Sequence, residues 1–145
     1  MSEVLHVERL NYLATVTDLK NQGYEMCVDV VGVDYLTNMD RPLPEDVIHE
    51  RFEVVASLLS LSKRSRVRIR VQVPQDDPTI ETLFFLYPGT EAMEREVYDL
   101  MGITFLNHPD LTRILMPEGW EGHPLRKDYS IGSVPVQFKS VNGAG

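Results

Sequence analysis

Side chains that could do chemistry gather in one stretch of this sequence, residues 94–129. Two histidines there, His108 and His123, each precede a proline. Five carboxylates lie near them in sequence: Glu94, Glu96, Asp99, Asp110 and Asp128. Two histidines and one carboxylate can hold a divalent metal ion, but this spacing matches no ligand motif and puts no second ligand on the same helical face. The pattern therefore favours structural histidines, with a metal-dependent enzyme as the less favoured alternative.

The charged residues of this stretch do not form a convincing acid–base pair either. Glu94 and Glu96 are two positions apart, so they point in different directions on a helix. Arg95 and Asp99 are four apart, which predicts an intrahelical ion pair. No glycine-rich phosphate loop follows a strand, and the spacings support no nucleophile–base triad. The sequence thus predicts no catalytic, cofactor-binding or metal-binding residue in this chain.

The overall composition is that of a soluble globular domain. The chain has 145 residues, of which 43% are hydrophobic and 25% charged, and its net charge is −8. That acidic balance disfavours nucleic-acid binding, which depends on basic residues that neutralise phosphates. Its one cysteine, Cys27, excludes an intrachain disulfide and is predicted to be a buried, inert thiol. No apolar run approaches the ~20 residues of a membrane span, and the first residues lack signal-peptide features, so membrane association is expected only through a partner.

Hydrophobic periodicity predicts the elements that must position these residues. A helix over 7–22 would bury Leu10, Leu13 and Ala14. Residues 26–33 form a nearly continuous apolar run, typical of a strand buried on both faces. The remaining predicted elements are strands over 52–61 and 67–73 joined by a polar hairpin turn, a short helix over 79–86, and a helix over 91–101 capped by Thr90 and ended by Gly102.

The strand over 67–73 has the clearest pattern. Apolar residues at the odd-numbered positions alternate with polar ones, so one face is predicted to be buried and the other wet. Arg66, Arg68 and Arg70 share the wet face. A solvated sheet face is the favoured interpretation, and a docking face for an acidic neighbour is the alternative.

The region after Gly102 predicts an arm. Bulky apolar and aromatic residues are interleaved there with arginine, lysine and proline, a composition typical of protein interfaces. Its prolines stiffen the backbone and lower the entropy lost on docking. We therefore predict a folded domain over 1–101 and an extended arm over 102–145 that needs a partner's surface to satisfy its apolar and ionic groups.

Three ordered motifs in this region resemble those of a known family. The first joins Glu94-Arg95-Glu96 to Tyr98-Asp99-Leu100, the second joins His108-Pro109-Asp110-Leu111 to Arg113-Ile114-Leu115, and the third is Gly122-His123-Pro124-Leu125-Arg126-Lys127-Asp128-Tyr129. On these motifs the chain resembles the C subunit of the respiratory NADH:quinone oxidoreductase, complex I, from about Tyr24 to Phe138.

The resemblance implies an α+β fold: a small mixed or antiparallel sheet with flanking helices and a long, largely irregular C-terminal arm. It implies a non-catalytic subunit with no cofactor of its own, since the FMN and Fe–S clusters that pass electrons from NADH to quinone belong to partner subunits. The arm is expected to dock on the D subunit near the quinone site, beside the iron–sulfur subunits of the peripheral arm. The implied location is peripheral, on the cytoplasmic side of the cell membrane.

The resemblance also implies which residues contact partners. They are Glu94, Arg95, Glu96, Asp99, His108, Arg113, Arg126, Lys127 and Asp128. An alternative assembly is a membrane-bound hydrogenase or another quinone-reducing complex, because other subunits handle the electron donor.

Overall fold

The protein is described by a computed structural model over residues 2–129. Its elements, in chain order, are β1 (Ser2–His6), a 3₁₀ turn (Arg9–Asn11), α1 (Tyr12–Asn21), β2 (Met26–Asp34), β3 (Phe52–Ser60), β4 (Ser65–Val73), β5 (Thr79–Glu81), α2 (Thr90–Met101) and β6 (Thr104–Leu106). The main sheet has the strand order β1-β4-β3-β2, with β1 parallel to β4 and the other pairs antiparallel. A second, parallel pair joins β5 and β6. The predicted α+β class with a small mixed sheet is confirmed.

The core lies between one face of the main sheet and the two helices. Val67, Ile69, Val71 and Val73 of β4 are fully buried, as their alternation predicts, and they join side chains of α1 and α2 in one apolar cluster. On the opposite face Arg66 and Arg68 are exposed. A sheet covered on one side only explains this alternation, because successive side chains of a strand point to opposite faces.

Helix α1 buries a different face from the predicted one. Tyr12, Val16 and Leu19 are buried, whereas Leu10 is 93% exposed and Leu13 is also exposed. The sequence contains two apolar stripes at helical spacing, and the stripe with the larger aromatic side chain packs into the core. The 3₁₀ turn before Tyr12 sets the phase of the helix so that Leu10 points outwards.

Strand β2 is not buried on both faces, so that prediction was wrong. It lies at the edge of the main sheet, with Met26 and Val31 exposed on the side away from the helices. On the inner side Gly32 lets α2 approach closely, since a Cβ there would lie 2.8 Å from Val97 Cγ1.

Cys27 of β2 is half-buried, and burial raises the pKa of its thiol to about 12, which keeps it protonated and unreactive.

The predicted helix over 79–86 is also wrong. Residues 79–81 form β5, which pairs with β6, and the Thr82 amide donates to the carbonyl of Leu106. The backbone groups that a short helix would have used are therefore hydrogen-bonded to the segment after α2.

Helix α2 does end at Gly102, as predicted, with Gly102 in the left-handed region at φ 79°. Its N-cap is Gly89, because the Thr90 hydroxyl donates to the Tyr87 carbonyl instead of capping the helix.

No helix within residues 2–129 is long and apolar enough to cross a membrane.

Candidate functional site

Asp99 binds a loop that returns to the C-terminal half of α2. Its carboxylate is fully buried, and Oδ2 accepts three consecutive backbone N–H groups, from Ile114 (3.0 Å), Leu115 (2.7 Å) and Met116 (2.8 Å). Oδ1 accepts Nη1 of Arg113 at 2.7 Å. Burial alone would raise the pKa of Asp99, but these hydrogen bonds outweigh it and lower the pKa. Asp99 is therefore charged, and it fixes residues 113–116 against the helix.

Arg95, one helical turn before Asp99, binds the start of the same loop. Its guanidinium donates to the carbonyls of Thr112 and Arg113, both at 3.1 Å. A weaker ion pair joins it to Glu91 at 3.5 Å. The predicted Arg95–Asp99 ion pair is wrong, because the ionic partner of Asp99 is Arg113. Positions 95 and 99 share a helix face, but both side chains reach outwards to the returning loop.

The third motif caps the C-terminal end of α2. The last carbonyls of a helix have no partner within the helix. Here the carbonyls of residues 99, 100 and 101 bond respectively with His123 Nδ1 at 2.9 Å, the Leu125 amide at 2.9 Å and Arg126 Nε at 2.8 Å. A carbonyl can only accept, so Nδ1 of His123 carries the proton. Burial lowers the pKa of His123, although its hydrogen bond to the Asp99 carbonyl opposes this.

A buried ion network ties the end of the described arm to the main sheet. Arg51 and Asp34, both buried, form an ion pair at 2.7 Å, and Arg51 also reaches Asp128 at 2.8 Å. Asp34 Oδ2 accepts the backbone amide of Lys127 at 2.8 Å. Burial would raise the pKa of Asp34, but the bonds from Arg51 and from the Lys127 and Leu36 amides lower it. The stabilisation is present above the ordinary carboxyl pKa and is lost as the pH falls.

Glu94 lies nearer the N-terminal end of α2. Its carboxylate is fully buried and accepts the Thr82 hydroxyl and, at 2.8 Å, the Leu83 amide. Burial raises its pKa to about 7. Nε2 of His108 lies 3.9 Å from it. Glu94 therefore holds the segment after β5 against the helix.

The ring of His108 is fixed by backbone atoms on both sides. Nδ1 accepts the Asp110 amide at 3.0 Å, so the proton sits on Nε2, which donates to the Glu91 carbonyl at 3.0 Å. This leaves neither ring nitrogen free to bind a metal. Within residues 2–129 no three His, Cys, Asp or Glu side chains come together as a metal site. These residues therefore offer no set of side chains that could bind the metal ion of the alternative, a metal-dependent enzyme.

Replacing Glu94 with glutamine should remove a pH dependence of stability. A carboxyl whose pKa is raised by folding stabilises the chain while protonated, and that contribution is lost as the pH rises through about 7. The loss is on the order of 3 kcal/mol, since each pH unit corresponds to about 1.4 kcal/mol. Denaturant unfolding at about pH 5 and about pH 8 should show this contribution in the parent chain and its absence in Glu94→Gln, so that the variant loses less stability than the parent as the pH rises.

The matched control is Glu96→Gln, because Glu96 is exposed on the same helix. It should keep the pH response of the parent chain. An unchanged response in Glu94→Gln would show that another group carries it.

The nine predicted partner-contacting residues fall into two groups. In six of them the side chain is used to position the arm or the segment that follows β5: Glu94, Arg95, Asp99, His108, Arg113 and Arg126. The other three, Glu96, Lys127 and Asp128, are exposed, although the Asp128 carboxylate also accepts a hydrogen bond from Arg51 at 2.8 Å. Their contact with a partner stays a prediction for all nine. Sequence reasoning missed Asp34 and Arg51, although charged residues at the ends of apolar strands were a usable signal.

The arm satisfies its polar groups more fully than predicted. Through residue 129 its ionic and backbone groups bond extensively to α2 and the main sheet, so the expectation that the arm needs a foreign surface for its ionic groups was wrong for this part. Its apolar groups differ: Leu115 is 57% exposed, Leu125 54%, and Ile114 is also exposed. We call these three residues the arm patch. Residues 130–145 of the predicted arm lie outside the described residues.

Comparison with known proteins places the chain in a family. Residues 5–134 match the family of the respiratory-chain NADH dehydrogenase, 30 kDa subunit. The chain is 45% identical to the NADH-quinone oxidoreductase C subunit of Saccharopolyspora erythraea over 94% of its own length and 52% of that protein. It is 48% identical to NADH-quinone oxidoreductase subunit 5 of Thermus thermophilus, over 83% of this chain and 58% of that protein. The chain thus spans a little over half the length of these relatives.

Two solved structures share the fold. A trypsin-resistant fragment of Nqo5 superposes with a TM-score of 0.66 at 39% identity, covering 74% of this chain and 81% of that one. A chain of an archaeal respiratory membrane complex, the membrane-bound sulfane sulfur reductase, gives a TM-score of 0.70 at 19% identity, covering 96% of this chain and 79% of that one. At that identity the second likeness shows the fold alone. The family resemblance of the three motifs is confirmed: this chain belongs to the family of the 30 kDa subunit of the respiratory-chain NADH dehydrogenase, which includes the C subunits of NADH-quinone oxidoreductases.

Proposed function

We propose that this chain is a non-catalytic subunit of an NADH:quinone oxidoreductase, and that its arm docks on the neighbouring D subunit near the quinone site. The complex would pass electrons from NADH through FMN and Fe–S clusters in other subunits to quinone, coupled to proton translocation. This chain would hold no cofactor itself. It would lie on the cytoplasmic side of the membrane, attached through the complex and next to the iron–sulfur subunits.

The observation that carries the proposal is the arm patch on a rigid support. Leu115 and Leu125 are exposed, yet their backbone amides are bonded to the Asp99 carboxylate and the Leu100 carbonyl. Exposed leucines on a fixed backbone lose little entropy on binding, which is how a preformed interface gains affinity. Exposed apolar side chains grouped in this way mark interaction sites.

The charged motif residues then have two separate roles in the proposal. Buried Asp99 and Glu94 hold the backbone in place, and exposed Glu96 and Lys127 can meet a partner at the rim of the patch. Half-exposed Asp128 can do both, since it also pairs with Arg51.

The proposal predicts that the arm patch is needed for assembly and dispensable for folding. The double change Leu115→Ser and Leu125→Ser should leave the melting temperature of the isolated chain within a few degrees of the parent, because both side chains are exposed. Binding to the partner should weaken by about 10-fold or more, as for buried interface anchors. The measurements are co-purification of the complex from membranes and its NADH:quinone reductase activity.

Leu61→Ser is the control, since Leu61 is an exposed leucine in the β3–β4 turn. It should assemble normally. Normal assembly of the double variant would contradict the proposal. Co-purification with hydrogenase subunits in place of flavin-containing NADH-binding subunits would favour the alternative complex.

A further inference from the structure

The main sheet has a face that no helix of the described chain covers. Strand register puts its side chains in rows: Arg68 lies opposite Ser57 on one side and Val4 on the other, and Val31 lies opposite Val55. We call this the outer face and define it by Val4, Met26, Val31, Val55, Leu59, Arg66 and Arg68. The core and both helices lie on the other side.

The outer face carries more apolar surface than a solvated sheet needs. Val4 is 48% exposed, Met26 44% and Val31 39%, and Val55 and Leu59 are half-buried between them. The outward positions of a half-solvated antiparallel sheet are usually polar. The apolar residues of β2 and β3 lie next to each other, and Val4 is separated from them by the arginines of β4. Exposed apolar residues grouped on two adjacent strands are the kind of surface that marks a contact with another protein.

The outer face carries more basic than acidic charge, because Arg66, Arg68 and Arg70 outnumber Asp29 and Glu53. Within residues 2–129 neither Arg66 nor Arg68 has a carboxylate within ion-pairing distance, and both are exposed. Arg70 differs, because Glu53 binds it at 2.9 Å. Asp29 of β2 is in the same row as Arg68 but two strands away. The outer face is thus locally basic on a chain whose net charge is −8.

We propose that the outer face is a second docking surface, for a protein partner that presents carboxylates beside an apolar patch. Arg66 and Arg68 of β4 would pair with those carboxylates, while Val31 and Val55 on the adjacent strands β2 and β3 cover the apolar patch. The net charge of −8 opposes approach to polyanionic nucleic acid or to an anionic membrane, whereas a patch of local complementarity suffices for a protein. Residues 130–145 contain no Asp or Glu, so they do not supply the complementary charge.

This proposal rests on the proposed function in one respect: the chain must work inside an assembly. It adds that two partners or two regions of partners are engaged, one at the arm patch and one at the outer face. The two surfaces belong to separate parts of the fold, since the arm patch adjoins the end of α2 and the outer face lies on the side of the sheet away from the helices.

The test uses photo-cross-linking in the assembled complex purified from membranes. A benzophenone amino acid is placed at Val31 in one sample and at Leu115 in another, and cross-linked peptides are identified by mass spectrometry. The Val31 probe should react with another subunit, in a segment containing Asp or Glu. In the Val31 sample, Arg68→Gln should lower the cross-link yield several-fold.

Lys20→Gln is the matched control, since it also removes one positive charge but lies on α1, where Lys20 donates to the Leu86 carbonyl. It should leave the Val31 yield unchanged. Cross-linking at Leu115 with none at Val31 would overturn this inference and leave the proposed function standing. A Val31 cross-link to residues 130–145, to a second copy, or with a yield insensitive to Arg68→Gln would also overturn it. Failure at both positions would contradict both proposals.

Discussion

Asp99→Ala should destabilise the isolated chain by about 3–5 kcal/mol, the usual effect of removing one partner from a buried ion pair. The change leaves the Arg113 guanidinium and three backbone amides of residues 114–116 without their acceptor. Each unsatisfied buried donor adds to the cost of folding. Denaturant unfolding of the parent and the variant measures the difference.

The variant Asp99→Asn removes the negative charge and keeps the side-chain volume, so it shows how much of the loss comes from the charge. All groups around the carboxylate are donors, so one end of the asparagine amide would place its own N–H groups against other donors. We therefore expect a loss close to that of alanine. Glu96→Ala, on the exposed side of the same helix, should change the free energy of unfolding by less than about 0.5 kcal/mol. Equal effects of Asp99→Ala and Glu96→Ala would rule out Asp99 as the anchor of the loop.

Arg51→Ala should have a comparable effect, again about 3–5 kcal/mol. Arg51 is buried and bonds to Asp34 through two nitrogens, at 2.9 Å and 2.7 Å, while also reaching Asp128. Removing it leaves the Asp34 carboxylate buried with only backbone amides as partners. The expected readouts are a lower free energy of unfolding and faster cleavage by trypsin at Arg126 or Lys127.

Two further variants test whether the stabilising contact of Arg51 is its buried pair with Asp34. Asp128→Asn should cost less than about 1 kcal/mol, because the Asp128 side chain is half exposed and water screens its ion pair. Arg51→Lys should fall in between, since a single ammonium cannot bond to Asp34 through two nitrogens. A larger loss from Asp128→Asn than from Arg51→Ala would place the stabilising contact at the surface instead of at Asp34.

Sequence patterns correctly predicted the parts of the fold that depend on interactions between residues close together in the chain. The alternation of β4 fixes which residues are buried, and Gly102 ends α2 because it adopts a positive φ at low cost. The misassigned parts depend on distant partners. Residues 79–81 form a strand because β6 pairs with them, and one face of β2 is exposed because both helices pack on the other side of the sheet. Helix α1 has two apolar stripes, and only packing chooses between them.

In the candidate site, too, the residues could be identified from the sequence, but their roles depend on partners far away in the chain. The motif residues were found from the sequence, and Glu96 and Lys127 are at the surface as a partner contact requires. The roles of Asp99 and Arg126 were not predictable, since their partners lie 14 to 25 positions away in the chain. The bond between Asp34 and the Lys127 amide spans 93 positions. Charge and spacing identify such residues as special, but they do not say whether a partner protein or the chain itself supplies the counterpart.

Hydrogen exchange at the amides of Ile114, Leu115 and Met116 in the isolated chain tests most directly whether α2 prearranges the arm for docking. These amides are bonded to the buried Asp99 carboxylate, so we expect protection by about 100-fold or more over an unfolded peptide. In Asp99→Ala that protection should be lost while β4 stays protected. Exchange of all three amides at the unfolded rate in the parent chain would contradict a prearranged arm.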